Sequence, residues 1–449
     1  MSGPVTFLRH QCIAFLAVSL LAGTAGAPAR AEEPGPPPAG AQAVLSPTVV
    51  VGGSAPIPTT QGLRRQLRDL LQSAAIGSAT VLVVDPGSNT ALLERKSTAV
   101  RTPASTLKLL TAASALTLLG TERRLATRVV QDGAAITLIG GGDATLVRGK
   151  SDNPLWRENA SLRKLARAVA EQLGPEPIRL QYDDSLFTGP ALAPGWSRSF
   201  PADGVVAPVT ALMVDGGRVR PNALSRVRDP AREAAVVFAN LLRAEGVQVR
   251  GIRQAVAGSD AVEIARVESA PMVTLVQRMI TESDNDLAEA LARLAGAEAG
   301  FGASFQGGAQ AATQVARDLG LTTDQLQVVD GSGLSSQNAL LATTLTDLLT
   351  MVATGADLRL GPIASGLAVA GGTGTLADRY RDRAARPGAG LVRAKTGTLT
   401  SVVALAGSVR DRDGRVLIFA FLAEKVPAIE AARRTVDTMA ARLAECGCA

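Results

Sequence analysis

The stretch Thr102-Pro103-Ala104-Ser105-Thr106-Leu107-Lys108 sets a hydroxyl and an amine three residues apart, at the head of an apolar run that continues to Leu116. On a helix this spacing puts both side chains on one face, about one turn apart. Thr102 is expected to cap that helix and Pro103 to sit in its first turn. A charged lysine in apolar surroundings is costly. Desolvated, and near a second cation, its pKa falls and it can take a proton from a serine, which makes the serine a nucleophile. The spacing alone also admits a plainer reading, a lysine at a helix end that snorkels to solvent. Composition narrows the choice. The only histidine, His10, lies in a segment expected to be removed, and only three cysteines are present. A Ser-His-Asp triad and a histidine metal site are both excluded, and lysine is the base that remains.

Two further stretches carry similar groups. Thr281-Glu282-Ser283-Asp284-Asn285-Asp286 precedes an apolar helix pattern at Leu287, Leu291 and Leu294, and Lys395-Thr396-Gly397-Thr398 follows a strand pattern at 391–394. Taken singly, the first reads as a capping loop and the second as strand-edge protection. Taken together, Ser-x-x-Lys, Ser-Asp-Asn and Lys-Thr-Gly occur in that order on helix start, loop and strand. That trio resembles the serine penicillin-recognising enzymes.

Ser283 lies 178 residues beyond Ser105, far more than in an ordinary β-lactamase. The chain therefore resembles the penicillin-binding protein 4 type D-alanyl-D-alanine carboxypeptidases, peptidase family S13, which carry an insertion there. Gly140-Gly141-Gly142-Asp143-Ala144-Thr145-Leu146, Asp330-Gly331-Ser332-Gly333-Leu334-Ser335 and Gly374-Thr375-Leu376 are similar to that family too. The resemblance spans about residues 60 to 445.

What the resemblance implies is an α+β, β-lactamase/transpeptidase-like catalytic domain with a helical subdomain. It implies Ser105 as nucleophile, Lys108 as general base, Ser283 as proton relay, Asn285 as a holder of Lys108 or the substrate amide, and Lys395 as an electrostatic aid. Thr396, Gly397 and Thr398 would bind substrate, and the Ser105 and Thr398 backbone amides would form the oxyanion hole. The implied substrates are peptidoglycan stem peptides, with β-lactams as acylating mimics and no metal or cofactor. The Glu-x-x-x-Asn loop of class A β-lactamases is missing, because Glu289 and Glu298 are followed four residues later by Arg293 and Gly302. Trapping by penicillin is expected, not turnover. An esterase or D-aminopeptidase on the same centre, or a non-catalytic wall-binding protein, are the alternatives.

Elements must bring these motifs together. An amphipathic helix is expected over 62–75 and strands over 80–84 and 90–94. At the other end, strands are expected over 391–394, 402–409 and 416–423, followed by a helix over 427–443. Two strands at the front and three at the back join as one mostly antiparallel five-stranded sheet with the terminal helices packed on it, an α/β/α sandwich. The catalytic unit is thus read as 58–150 plus 271–445, with an accessory region inserted over 151–270. Within the insertion, Tyr182-Asp183-Asp184-Ser185-Leu186-Phe187 offers two acids between aromatics, read either as a pocket for a cationic substrate side chain or as a solvated turn.

Residues 1–31 combine Arg9 and His10, an apolar core from Cys12 to Ala22 and the small-x-small triplet Ala29-Arg30-Ala31. This is the pattern of an export signal cleaved after Ala31, with an uncleaved anchor as the alternative. A Pro/Gly-rich tether follows over 32–57. The net charge of +6 includes Arg9 and Arg30 and falls to +4 without them. Aromatics make up only 3% of residues and no basic cluster interleaves with them, which argues against a nucleic-acid binder. Cys446 and Cys448 can close a small ring or pair between chains, and a free, frayed tail is equally compatible with the spacing.

Overall fold

The eleven strands of the structure, a computed structural model that describes residues 54–150, 158–220 and 223–449, fall into two sheets. In chain order they are β1 (Ser78–Asp85), β2 (Thr90–Arg95), β3 (Ala126–Asp132), β4 (Ala135–Ile139), β5 (Ile178–Asp183), β6 (Val249–Gln254), β7 (Val262–Glu268), β8 (Ala368–Val369), β9 (Val392–Leu399), β10 (Val402–Arg410) and β11 (Val416–Glu424). The export-signal segment and the tether as far as residue 53 lie outside the described residues. Among the described residues no helix is long and apolar enough to cross a membrane.

The first sheet has the order β2-β1-β11-β10-β9-β8, every neighbouring pair antiparallel. The five strands expected from both chain ends are all in it, and the two-residue β8 joins at the edge. Side chains alternate between two apolar layers, as a strand buried on both faces requires. Leu82, Val84, Ile418, Ala420 and Leu422 face one layer, and Val81, Val83, Leu417, Phe419 and Phe421 face the other. The second layer is closed by the helices Thr60–Leu71 and Ile429–Ala444 through Leu63, Leu67, Val436, Met439 and Leu443. The first is closed by Lys108–Leu119, Met272–Thr281, Asn285–Glu298 and Ala342–Thr354. The outcome is the expected α/β/α sandwich.

The C-terminal tail is not frayed. Cys446 and Cys448 are joined to each other. The Thr59 amide and hydroxyl both donate to the Cys448 carbonyl at 3.0 Å, which pins the tail to the first helix. Gly62 permits that approach, since a Cβ there would lie 2.6 Å from the Cys448 Cβ.

The second sheet, β6-β5-β4-β3-β7, joins three strands from residues 151–270 to β3 and β4. It begins at Ala126, so β3 and β4, placed by the sequence reading before residue 151 in the catalytic unit, pair instead with the inserted strands. The reason is packing: Val129, Ile136 and Leu138 bury against Leu162, Leu165 and Val169 of the helix Leu162–Gln172 and Phe238 of Pro230–Ala244. Parallel pairing of β4 with β5 needs a crossover, which Leu162–Gln172 supplies. Asp183 and Asp184 are engaged within this region. Asp183 is buried and accepts from the Ser185 and Ala257 amides at 2.9 Å, and Asp184 accepts from Gln254 Nε2 at 2.6 Å.

Phe419 is fully buried and stacks on Phe421 at 4.8 Å between ring centroids, in the layer under the C-terminal helix. Phe419→Ala should therefore lower unfolding stability by about 3–5 kcal/mol through lost burial and a cavity. Denaturant unfolding with an unchanged m-value measures this, and a loss below about 1 kcal/mol would show the layer to be loosely packed.

Candidate active site

Ser105 sits on a 3-10 turn, Ala104–Leu107, that runs directly into the helix Lys108–Leu119. Thr102 does not cap this helix. Its amide instead donates to Glu424 Oε1 of β11 at 2.8 Å, and the chain turns tightly through Ala104 with φ of +48°. A left-handed alanine costs energy that its surroundings must over-determine. Those surroundings are two glycines. A Cβ on Gly397 would lie 2.9 Å from the Pro103 carbonyl oxygen, and one on Gly333, at φ +82°, 1.9 Å from that of Ala104. The glycine of Lys-Thr-Gly thus lets β9 pass close beneath the Ser105 turn.

The helix Lys108–Leu119 is buried on nearly all sides, so Lys108 cannot reach water and is 0% exposed. Its Nζ donates to Ser105 Oγ at 3.0 Å, Asn285 Oδ1 at 2.7 Å and the Ser332 carbonyl at 2.7 Å. Burial lowers its pKa to about 8, against the pull of the Glu289, Asp330, Asp284 and Asp286 carboxylates. Asn285 opens the helix Asn285–Glu298, and its Nδ2 donates to the Val205 carbonyl at 2.8 Å. Its orientation is therefore fixed from the accessory region. Ser283, at φ +57°, lies in the short loop between Met272–Thr281 and that helix.

Lys395 is also 0% exposed, on β9, and donates to Ser283 Oγ at 2.8 Å and to the Thr396 carbonyl at 2.8 Å. Burial, with the charges of Lys108 and Arg379, pushes its pKa well below the ordinary lysine range. β8 pairs only with Arg393 and Ala394, so from Lys395 onward that edge of β9 has no strand partner among the described residues. On the opposite face of the strand, Thr396 Oγ1 bonds Thr375 Oγ1 at 2.8 Å and Thr398 Oγ1 accepts from Arg433 Nη2 at 3.2 Å. These threonines line a cavity of about 620 Å³ with Arg379, Arg433 and Arg434.

Hydrogen bonds thus gather Ser105, Lys108 and Asn285, and Ser283 with Lys395, whereas the Thr396 and Thr398 side chains point to the opposite face of β9. The motifs did not reveal Trp196, Val205 or Arg433, and Asp330 and Ser332 stood out only within the family-like stretch 330–335, with no role attached. Ser332 and Val205 contribute backbone carbonyls, which carry no side-chain signature. Asp330 accepts from the amides of Gly333 at 2.8 Å and Ser335 at 2.6 Å and from Trp196 Nε1 at 2.7 Å, shaping the turn that presents the Ser332 carbonyl.

The geometry has counterparts among known proteins. The profile of the D-Ala-D-Ala carboxypeptidase 3 (S13) family matches residues 63–225 and 220–446. The chain belongs to that family. It is 37% identical to the carboxypeptidase DacB of Mycolicibacterium smegmatis, over 96% of this chain and 94% of that protein. A carboxypeptidase of Mycobacterium tuberculosis is 35% identical over 94% of this chain and 91% of its own. The fold is that of penicillin-binding protein 4 from Haemophilus influenzae, with a TM-score of 0.71 at 20% identity, covering 86% of this chain and 98% of the other. As an S13 protein, the chain is a peptidase of the D-Ala-D-Ala carboxypeptidase class.

Gly333→Ala should force the Ala104 carbonyl aside and lower stability by about 2 kcal/mol or more, since both the clash and the positive φ oppose it. Thermal unfolding measures this, and an unchanged Tm would mean that the Ser105 turn yields without cost.

Proposed function

We propose that this S13 peptidase hydrolyses the terminal D-Ala-D-Ala bond of peptidoglycan stem peptides through an acyl-enzyme on Ser105. The observation that carries the proposal is the 3.0 Å contact between Ser105 Oγ and a fully buried lysine amine. In the neutral form Lys108 Nζ accepts the Ser105 proton while Oγ attacks the carbonyl carbon of the penultimate D-alanine. The C–N bond then breaks, and Ser283, held by Lys395, relays a proton to the departing amine. Water hydrolyses the ester and frees Ser105.

The unpartnered edge of β9 suits an extended peptide added as a strand. On one face of β9 Arg433, with Thr396 and Thr398, offers charge and hydroxyls for the substrate's terminal carboxylate, while Lys395 lies buried on the other face against Ser283. The Ser105 and Thr398 amides would stabilise the oxyanion, a contribution of about 10²–10³ in rate per donor. A β-lactam mimics the same amide and would acylate Ser105, and without a Glu-x-x-x-Asn loop the adduct would persist. Action on the wall fits export through the segment 1–31, cleaved after Ala31, with no nucleic-acid partner and at most peripheral membrane contact.

The test is product analysis on a pentapeptide muropeptide. Wild-type protein should release one D-alanine per stem. Ser105→Ala should release none, and Lys108→Ala should fall by about 10³ or more, because no histidine replaces the base. Release at the wild-type rate by either variant would refute the assignment.

The same chemistry fixes the pH dependence. The base must be neutral, and its pKa lies at about 8. Below that value the protonated fraction grows, so acylation should slow as pH falls through about 8 and level off above it. A rate independent of pH between 6 and 9 would exclude Lys108 as the titrating base.

A further inference from the structure

Glu289 lies one turn beyond Asn285 on the same helix and is 0% exposed. A buried carboxylate is expensive unless its oxygens are engaged. Both are: Oε1 accepts from the Ser332 amide at 2.7 Å and Oε2 from the Gly331 amide at 2.9 Å. The carbonyl of that same Ser332 accepts from Lys108 Nζ at 2.7 Å. The peptide turn is thereby held from one side by Glu289 and anchored on the other to the amine beside Ser105. There is little slack in it, since a Cβ on Gly331 would lie 2.7 Å from the Ala288 carbonyl oxygen.

We propose that Glu289 is a positioning residue for the reaction: its carboxylate fixes the Gly331–Ser332 turn so that the Ser332 carbonyl holds Lys108 Nζ against Ser105 Oγ. The inference rests on the assignment of Ser105 and Lys108 above.

The charged surroundings are few. Lys108 faces Asp330, Asp284 and Asp286 as well as Glu289, with Lys395 as the neighbouring cation, and Glu289 also faces Asp330 and Arg293. Among the carboxylates, Glu289 acts most strongly on Lys108. Burial, then the Asp330 charge, raises the Glu289 carboxyl above the usual carboxylate range, while the Ser332 and Gly331 amide hydrogen bonds to its two oxygens favour the ionised form. A negative Glu289 favours protonated Lys108. Removing the charge lets Lys108 lose its proton at lower pH, so the acid limb of acylation moves downward.

The experiment is the rate of penicillin acylation against pH for wild type, Glu289→Gln and Glu289→Asp, with thermal unfolding of each. The amide of glutamine presents a donor where the turn presents a second one. Glu289→Gln should therefore lose about tenfold or more of the plateau rate and shift its acid limb down by about half a pH unit or more. Glu289→Asp keeps the charge but draws it back by one methylene. It should lose about tenfold in rate with its acid limb unmoved. A purely structural role would lower Tm and leave the limb of Glu289→Gln in place. A wild-type limb and rate in Glu289→Gln overturns the proposal. If that variant does not fold, a wild-type rate in Glu289→Asp overturns it instead. Absence of Ser105-dependent labelling in the wild-type protein would instead refute the functional assignment.

Discussion

The structure depends on keeping two lysine amines out of water beside two serine hydroxyls. Each ammonium would be strongly solvated at a surface, so burial is tolerable only where hydrogen-bond acceptors replace the water. Lys108 has three, from Ser105, Asn285 and Ser332, and Lys395 has Ser283 and the Thr396 carbonyl. Burial lowers the pKa of both, and for Lys395 the nearby charge of Lys108 adds to it. The catalytic unit supplies this burial through the helix Lys108–Leu119, enclosed by helices on one side and the six-stranded sheet on another.

The accessory region also contributes to the site. Val205 orients Asn285, and the Ala207 amide donates to Asp286 Oδ1 at 2.7 Å, with Arg226 paired to the same carboxylate at 3.2 Å. Pro194 accepts from Ser335 Oγ at 2.9 Å, and Trp196 binds Asp330. The segment that follows β5 therefore buttresses both the Ser-Asp-Asn loop and the 330–335 turn. In turn, the position of Lys108 depends on packing contributed from residues far away in sequence.

Much of this was legible in the sequence for physical reasons. The five long strands of the main sheet have alternating or continuous apolar patterns, and the three motifs place distinctive side chains at element ends. What was not legible has equally physical causes. Thr102 looked like a cap, but its amide was claimed by Glu424, 322 residues away, and a left-handed Ala104 replaced the first helical turn. The start of the accessory sheet at β3 was hidden because only tertiary packing assigns an amphipathic hairpin to one sheet or another. The role of Glu289 has no sequence signal, since nothing in a helical pattern distinguishes a buried glutamate bonded to backbone amides. The paired cysteines were ambiguous because spacing does not decide between a closed ring and free thiols.

The central claim is that the lysine-activated hydroxyl is Ser105. Trypsin should cut after Arg101 and Lys108, isolating residues 102–108 as one short peptide. Mass spectrometry after brief exposure to penicillin should find the whole drug mass on that peptide, with fragmentation placing it on Ser105. An adduct on Ser283, or on any peptide other than 102–108, would contradict the account.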